Sequence, residues 1–356
     1  MRTRLAPVLL LATLACAPKA GEKPAEAVTG PGGDLVYVTN EDSRDLTIID
    51  ASTDSVIATI FVGTRPRGVK VSPDGKTVYV ALSGSPKCPP SMPDEECEKL
   101  PVDKSLDGIA VVDVATMKTI KTIPGGSDPE AFDVSPDGMK LFISNEDADS
   151  ATIVDVASGT PVANVKVGDE PEGVTLAPDG KTVWVTGETD HDITGVDVAT
   201  GQVVGSIDTE GKRPRGIGFL PDGSRAYVTN EISGTVSVID MGTRKVLKQV
   251  AFGEEARPMG IAVQPDGKRI FISLGRGKGV AVLDPATDSV TATVEVGTRP
   301  WGIALSRDGT KLYTANGPGN DVSVVSTATM TVIKRIPAGS IPWGVAVGPR
   351  PGGLGA

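Results

Sequence analysis

Pro300-Trp301-Gly302, with the apolar run Ile303-Ala304-Leu305 behind it, is one of seven copies of a short pattern: a proline, one variable residue, then Gly or Ala. The other copies are Pro66-Arg67-Gly68, Pro129-Glu130-Ala131, Pro171-Glu172-Gly173, Pro214-Arg215-Gly216, Pro258-Met259-Gly260 and Pro342-Trp343-Gly344. Their prolines are 63, 42, 43, 44, 42 and 42 residues apart. Working outward from each copy gives the same unit. The apolar run leads to a Pro-Asp-Gly turn, as at Pro73-Asp74-Gly75, Pro136-Asp137-Gly138 and Pro178-Asp179-Gly180, with Arg307-Asp308-Gly309 as the variant. Proline presets φ and glycine supplies φ > 0, so each is a hairpin turn. A second strand follows, such as Val36-Tyr37-Val38-Thr39-Asn40, and then a third ending on an acid, such as Ser237-Val238-Ile239-Asp240. The fourth strand alternates polar and apolar residues, as in Lys118-Thr119-Ile120-Lys121-Thr122-Ile123, the pattern of a half-exposed edge.

A period in the low forties with four strands per unit is the length of one β-propeller blade. Six complete units start at residues 67, 130, 172, 215, 259 and 301. Three strands are left over at the start of the chain (35–61) and one at the end (343–348). Together they make a seventh blade and clasp the ring shut, which removes the free sheet edges of an open stack. The predicted fold is therefore all-β: a single seven-bladed propeller with four antiparallel strands per blade.

Tyr37-Val38-Thr39-Asn40, repeated at 227–230, resembles the repeat of the YVTN-type β-propeller family across residues 34–348. Glu41-Asp42-Ser43, Arg65-Pro66-Arg67-Gly68, Asp128-Pro129-Glu130, Ser144-Asn145-Glu146-Asp147 and Arg299-Pro300-Trp301-Gly302 are most similar to the subgroup associated with PQQ-dependent alcohol catabolism. That resemblance implies a location and a system. It implies no reaction.

The 356-residue chain carries 35 Lys and Arg against 45 Asp and Glu, a net charge of −10. That disfavours nucleic acid and anionic lipid surfaces, both of which want Lys/Arg clusters. Arg2 and Arg4 precede an apolar stretch from Leu5 to Leu14 and then Ala15-Cys16, the layout of an export signal with a lipobox-like end, although Thr13 stands where Leu is usual. Residues 1–15 read as a lipoprotein-type signal, with Cys16 as the lipidated residue. Residues 16–33 read as a flexible tether, 34–348 as the propeller and 349–356 as a C-terminal tail. Ordinary cleavage near residue 20 is the alternative. The expected location is the bacterial periplasm, with a lipid anchor in the outer membrane. Cys88 and Cys97 lie in the one large insertion, 83–106, and an even pair in an exported protein reads as a disulfide. A loop this short would give ~2–3 kcal/mol.

Strand parity puts the Pro motifs, the insertion, His191 and the acidic loops Glu41-Asp42, Glu146-Asp147, Glu188 and Glu231 on one face. The residue after each Pro should ring the solvent-filled mouth of the central channel, in the order Arg67, Glu130, Glu172, Arg215, Met259, Trp301, Trp343. Half of the ring is charged and half apolar. Trp343 returns beside Arg67, within reach of a cation–π contact. The ring reads as a binding cup for a small anionic ligand or a periplasmic protein's side chain. The plainer alternative is that Arg67–Glu130 and Glu172–Arg215 only neutralise each other. Asn40, Asn145, Asn230 and Asn316, each ending a second strand, read as local turn-formers bonding to backbone. Trp184 reads as core.

The leading functional expectation is a non-catalytic, monomeric, membrane-tethered binding or scaffold protein, with no cofactor and no metal, serving a PQQ-dependent oxidation system. A propeller enzyme (lactonase, lyase or quinoprotein-like) is the alternative. Glu130 and Glu172 are its candidate acid/base pair, while His191, the one histidine, sits in a loop expected to be mobile. A surface-layer or adhesive module is the third reading.

Overall fold

The computed structural model describes residues 33–87, 92–97 and 99–351. The signal and tether segments and Cys16 lie outside these residues. So does Cys88, and with it the pairing of Cys88 with Cys97.

The described chain forms seven four-stranded antiparallel sheets arranged as blades. Blade 1 holds the strands Val69–Val71, Thr77–Leu82, Gly108–Asp113 and Lys118–Ile123. The innermost strands of blades 2 to 6 are Pro129–Val134, Pro171–Leu176, Pro214–Phe219, Pro258–Val263 and Pro300–Leu305. Blade 7 joins the C-terminal strand Pro342–Pro349 to the N-terminal strands Asp34–Asn40, Asp45–Asp50 and Ser55–Phe61. Its register pairs Leu35 with Gly348, Tyr37 with Ala346 and Asn40 with Pro342. Just beyond this strand the backbone N–H of Arg350 donates to Gly33, and its guanidinium pairs with Asp50, so the start of the expected tail is held to the blade.

The core lies between blades. In Thr77–Leu82, Val78 and Val80 pack toward blade 7, while Tyr79 and Ala81 pack toward blade 2. A strand buried on both faces needs an almost unbroken apolar run, which is why the second and third strands read that way.

The hub is set by the Pro-x-Gly pattern. In blades 2 to 6 the ladder between first and second strands shifts register after the proline, for example between Pro258 and Ile261. The variable residue and the Gly thus sit in a bulge, which turns the variable side chain toward the axis. Blade 2 accepts Ala131 at the third position, but elsewhere crowding requires Gly. A Cβ on Gly68 would fall 2.7 Å from the Glu130 carbonyl oxygen, and one on Gly260 would fall 2.5 Å from that of Trp301. A buried hydroxyl from the second strand completes the junction in blades 2, 3, 4, 5 and 7. Thr229 takes the N–H of Gly216 (2.9 Å) and donates to the Met259 carbonyl of the next blade (2.7 Å). Thr39 and Ser273 do the same toward Arg67 and Trp301. Blade 1 has Ala81 at this position, and there the Gly68 N–H bonds directly to the Glu130 carbonyl at 3.0 Å. This blade also departs from the expected boundary: its innermost strand is regular only over Val69–Val71 rather than from residue 67.

The strand-end asparagines make the expected backbone bonds in part, Asn40 to Val38 and Asp45, and Asn145 to Ile143 and Ser150, and they reach further. Asn40 is fully buried, and its amide spans the hairpin to side chains of the third strand, Asp45 Oδ1 at 2.6 Å and Thr47 Oγ1 at 2.9 Å. Asn230 and Asn316 repeat the arrangement with Thr235 and Ser237, and with Asp321 and Ser323. They clamp two strands rather than shape one turn. Blade 3 has Gly187 in place of the Asn, so Asp192 lacks that amide and its Oδ1 is buried without a partner. Burial, joined by the like charges of Asp190, Asp208 and Asp169, raises the Asp192 pKa above its ordinary 3.8 despite the Ser206 hydroxyl.

Two outcomes follow. Thr229→Val leaves the Gly216 N–H and the Met259 carbonyl without their shared partner and is expected to cost ~1–3 kcal/mol in urea unfolding, while Thr229→Ser stays close to wild type. Asp192 has a raised folded pKa, so its ionisation opposes folding as pH rises above 3.8. Asp192→Asn should therefore raise the melting temperature at pH 7, and the gain should vanish when the comparison is made below pH 3.8.

Candidate functional site: the channel mouth

Three variable positions per blade meet on the face that carries the Pro motifs. The first is the ring residue after the proline. The second is the residue before the proline: Arg65, Asp128, Glu170, Arg213, Arg257, Arg299 and Ile341, all at φ between 43° and 61°. A non-glycine residue in this left-handed region costs ~1–3 kcal/mol and persists only where the surroundings hold it. The third position holds it. In blades 2 to 7 the residue after the second strand donates its N–H to the carbonyl of the residue before the proline, as Glu231 does to Arg213 (2.9 Å), Gly275 to Arg257 (2.7 Å) and Glu41 to Ile341 (2.9 Å); in blade 1 Ser83 donates to Thr64 instead. This hydrogen bond sets the two side chains next to each other above the ring.

Blades 1 to 4, with one residue of blade 7, form an ion-paired arc. Arg67 pairs with Glu130 and lies 3.6 Å from both Glu41 and Glu146. Arg65 meets Glu41 at 3.1 Å. Across the ring, Arg215 pairs with Glu172 and with Glu231 (2.8 Å), and Arg213 with Glu188 and Glu231. Glu231 is buried enough to raise its pKa, yet Arg215 and Arg213 outweigh this and hold its carboxyl below the usual 4.5. Its ionisation therefore supports the fold above pH 4.5, and that support is lost as pH falls through the lowered value. The acidic loops and the ring, read separately in the sequence, are one network here.

This arc is drier than expected. Arg67, Glu130 and Glu172 are 8%, 3% and 7% exposed, so they do not face bulk solvent. The inward bulge, the narrow hub and the insertion account for this. The described parts of the insertion lie on the mouth: Ser85 and Pro86 accept from Arg65, Lys87 pairs with Glu41 and Asp42, and Lys104 with Asp147. The carboxylates of Asp128, Glu130 and Glu146 converge within 4.8 Å of one another, a spacing suited to a cation. Arg67 already contacts Glu130 and Glu146 and supplies positive charge there.

Blades 5 to 7 form an open arc. Met259, Trp301 and Trp343 are half-buried and line a central cavity of about 230 Å³, together with Glu130, Glu172 and Arg215. Trp301 and Trp343 meet edge to face, with centroids 6.3 Å apart. The cation–π contact expected of Arg67 on Trp343 falls elsewhere: Arg299 lies 4.9 Å over Trp301. His191 stands outside the ring and is pinned rather than mobile, with Nδ1 2.8 Å from the Glu188 carbonyl and its own carbonyl accepting from Thr209. Trp184 is core, as expected. The sequence reading missed Arg65, Arg213, Arg257 and Arg299. Their signal was an Arg-Pro dipeptide recurring at 65–66, 213–214, 257–258 and 299–300.

Known proteins agree on the architecture. Residues 174–334 match the family model described as lactonase, 7-bladed beta-propeller, and residues 97–178 match that of the YNCE-like beta-propeller. Antigen Lp49 of Leptospira interrogans serogroup Icterohaemorrhagiae serovar copenhageni (strain Fiocruz L1-130) is 30% identical over 118 residues, which span 33% of this chain and 24% of that protein. Hydrazine synthase of Kuenenia stuttgartiensis superposes with TM-score 0.70 at 24% identity, covering 83% of this chain and 92% of that one. A candidate 6-phosphogluconolactonase of Bacteroides fragilis NCTC 9343 superposes with TM-score 0.74 at 19% identity, covering 90% and 99%.

Breaking a buried pair by removing one partner costs ~3–5 kcal/mol, whereas replacing both with apolar residues is often neutral. Arg67→Met should thus lower stability in chemical denaturation by about that much, and Arg67→Met/Glu130→Leu should recover at least half of the loss. Equal losses in the single and double variants would show that the pair does not act as a unit. Both family models describe β-propellers, and the chain is a seven-bladed β-propeller.

Proposed function

We propose that this protein is a binding propeller of the bacterial envelope, anchored through a lipidated Cys16, whose working face is the channel mouth. Its site is the ring Arg67, Glu130, Glu172, Arg215, Met259, Trp301 and Trp343, and its occupant is a small ligand or a periplasmic partner's side chain. The observation that carries this is the division of the mouth. Every ring charge is matched within a buried network, while Trp301 and Trp343 leave an apolar wall along the cavity. Convergent polar groups beside an apolar wall suit a pocket. The ring carboxylates are engaged by arginines, which favours holding a ligand over exchanging protons with it. The resemblance of the repeats to PQQ-associated propellers is what supports service to a quinone-cofactor alcohol-oxidation system. The Cys88–Cys97 disulfide belongs to the same proposal, because the insertion that carries it leans on the mouth.

Native mass spectrometry of protein purified from its own envelope tests the mouth. A bound small molecule or partner is expected with wild type and absent from Trp301→Ala/Trp343→Ala of unchanged circular dichroism; retention by the double variant contradicts the reading. Cys16→Ser should move the protein from the detergent-soluble membrane fraction to the soluble one. An unchanged distribution would remove the anchor from the account.

A second reading has its own support in the lactonase-type family match and in the likeness to the Bacteroides protein. A lactonase must polarise an ester carbonyl and accept a proton from water, roles open to Arg215 and Glu172 at the ring. The binding reading predicts no hydrolysis of 6-phosphogluconolactone above the spontaneous rate. Turnover that disappears in Glu172→Gln would establish the enzyme instead.

A further inference from the structure

The open arc differs from the paired arc in a second way besides its aromatic ring residues. Around the mouth, the position after the second strand is Glu41, Glu146, Glu188 and Glu231 in blades 7, 2, 3 and 4. In blades 5 and 6 it is Gly275 and Gly317. These are also the blades that place Arg257 and Arg299 before the proline. The equivalent Arg213 has two carboxylates, one from its own blade and one from the blade before. Arg257 and Arg299 have none within 4.0 Å among the described residues, although the charge of Glu231 in the blade before reaches Arg257 from further off. The Nε of each is buried without a hydrogen-bond partner, as it is in Arg67 and Arg213, but those two guanidiniums have carboxylates beside them. A guanidinium carries five donors and stays ionised, so one with no carboxylate in contact marks an incomplete site. Arg276, at the tip of the adjacent loop, adds a third cation without a carboxylate partner. The neighbouring acids Glu254 and Glu255 are exposed and make no ion pair among the described residues. In a chain of net charge −10, this sector is locally cationic.

We propose that Arg257 and Arg299 form an anion subsite on the rim of the mouth, taking a carboxylate or phosphate whose flat apolar body lies against Trp301 and Trp343. The ligand's anion supplies what Gly275 and Gly317 omit. The two arginines do not line the cavity. They stand one level above it, and Arg299 already stacks over Trp301, so its plane is oriented by the wall that receives the apolar part. A forked guanidinium binds carboxylate and phosphate alike. The proposal rests on the mouth being the working face, and it names the class of ligand that face takes.

The test uses three probes that share one ring system: 1-naphthoate, 1-naphthyl phosphate and neutral 1-naphthylmethanol, each titrated calorimetrically into the whole protein. One variant removes a charge, Arg299→Gln. A second leaves both arginines in place and restores the missing carboxylate, Gly317→Glu. A Cβ at Gly317 has no neighbour closer than 3.7 Å, and the analogous Glu231 reaches the arginine of its own blade, so this variant is expected to fold and to occupy Arg299 from within. At least one anionic probe should bind wild type ten times more tightly than naphthylmethanol and lose tenfold or more in both variants. The neutral probe should be indifferent to both. The ratio of naphthoate to naphthyl phosphate says which anion fits. Equal binding of charged and neutral probes, wild-type affinity in both variants, or no binding of any probe overturns the subsite. Neutral-probe binding that is lost in Trp343→Ala, without any preference for charge, would overturn the subsite while leaving the mouth as the working face.

Discussion

One contact recurs at the hub and the rest of the molecule depends on it: the backbone of each Pro-x-Gly bulge lies against the ring-residue carbonyl of the next blade. There is no room for a side chain at Gly68, Gly216 or Gly260, because that carbonyl occupies the space. The hydroxyls of Thr39, Thr229 and Ser273 then tie the Gly N–H of one blade to the carbonyl of the next. Blades are joined through backbone groups, so the variable side chain is left out of the joint. That separation lets one ring carry arginine, glutamate, methionine and tryptophan in succession without altering the fold.

A second backbone device raises the site above the ring. The left-handed residue before each proline would be costly alone, and in blades 2 to 7 its carbonyl is taken by the residue following the second strand. The same hydrogen bond brings together the side chains whose identities decide the local charge. In blades 2, 3, 4 and 7 the residue after the second strand is a glutamate and the mouth closes into an ion-paired network; in blades 5 and 6 arginine stands beside glycine and it stays open. The charge pattern of the mouth therefore turns on small differences at equivalent positions, laid out on a backbone that scarcely changes from blade to blade.

Much of this was legible in the sequence. The spacing of Pro66 through Pro342 and the complementary end fragments give seven blades and the clasp. The ring order follows from strand parity alone. The depth of the ring was not legible: Arg67 and Glu130 read as an exposed pair because periodicity does not report how narrow the hub is or that the insertion leans on it. Thr39 and Thr229 read as ordinary strand residues, since a hydroxyl bridging two blades has no sequence neighbour to betray it. The asparagines were read one strand too locally, as their partners at Thr47 and Ser237 lie across the hairpin. Gly275 and Gly317 were passed over because a missing carboxylate shows only once the equivalent glutamates are aligned around the ring.

Quenching of tryptophan fluorescence tests the divided mouth most directly. Trp184 is buried, so Trp301 and Trp343 carry the quenchable signal. Although the protein bears a net charge of −10, the account predicts that iodide quenches these two tryptophans more strongly than caesium at equal ionic strength, because Arg299 lies over Trp301 and Arg257 holds the equivalent position in the neighbouring blade. Stronger quenching by caesium, or equal quenching by both ions, would contradict an open cationic arc and leave the mouth without its division.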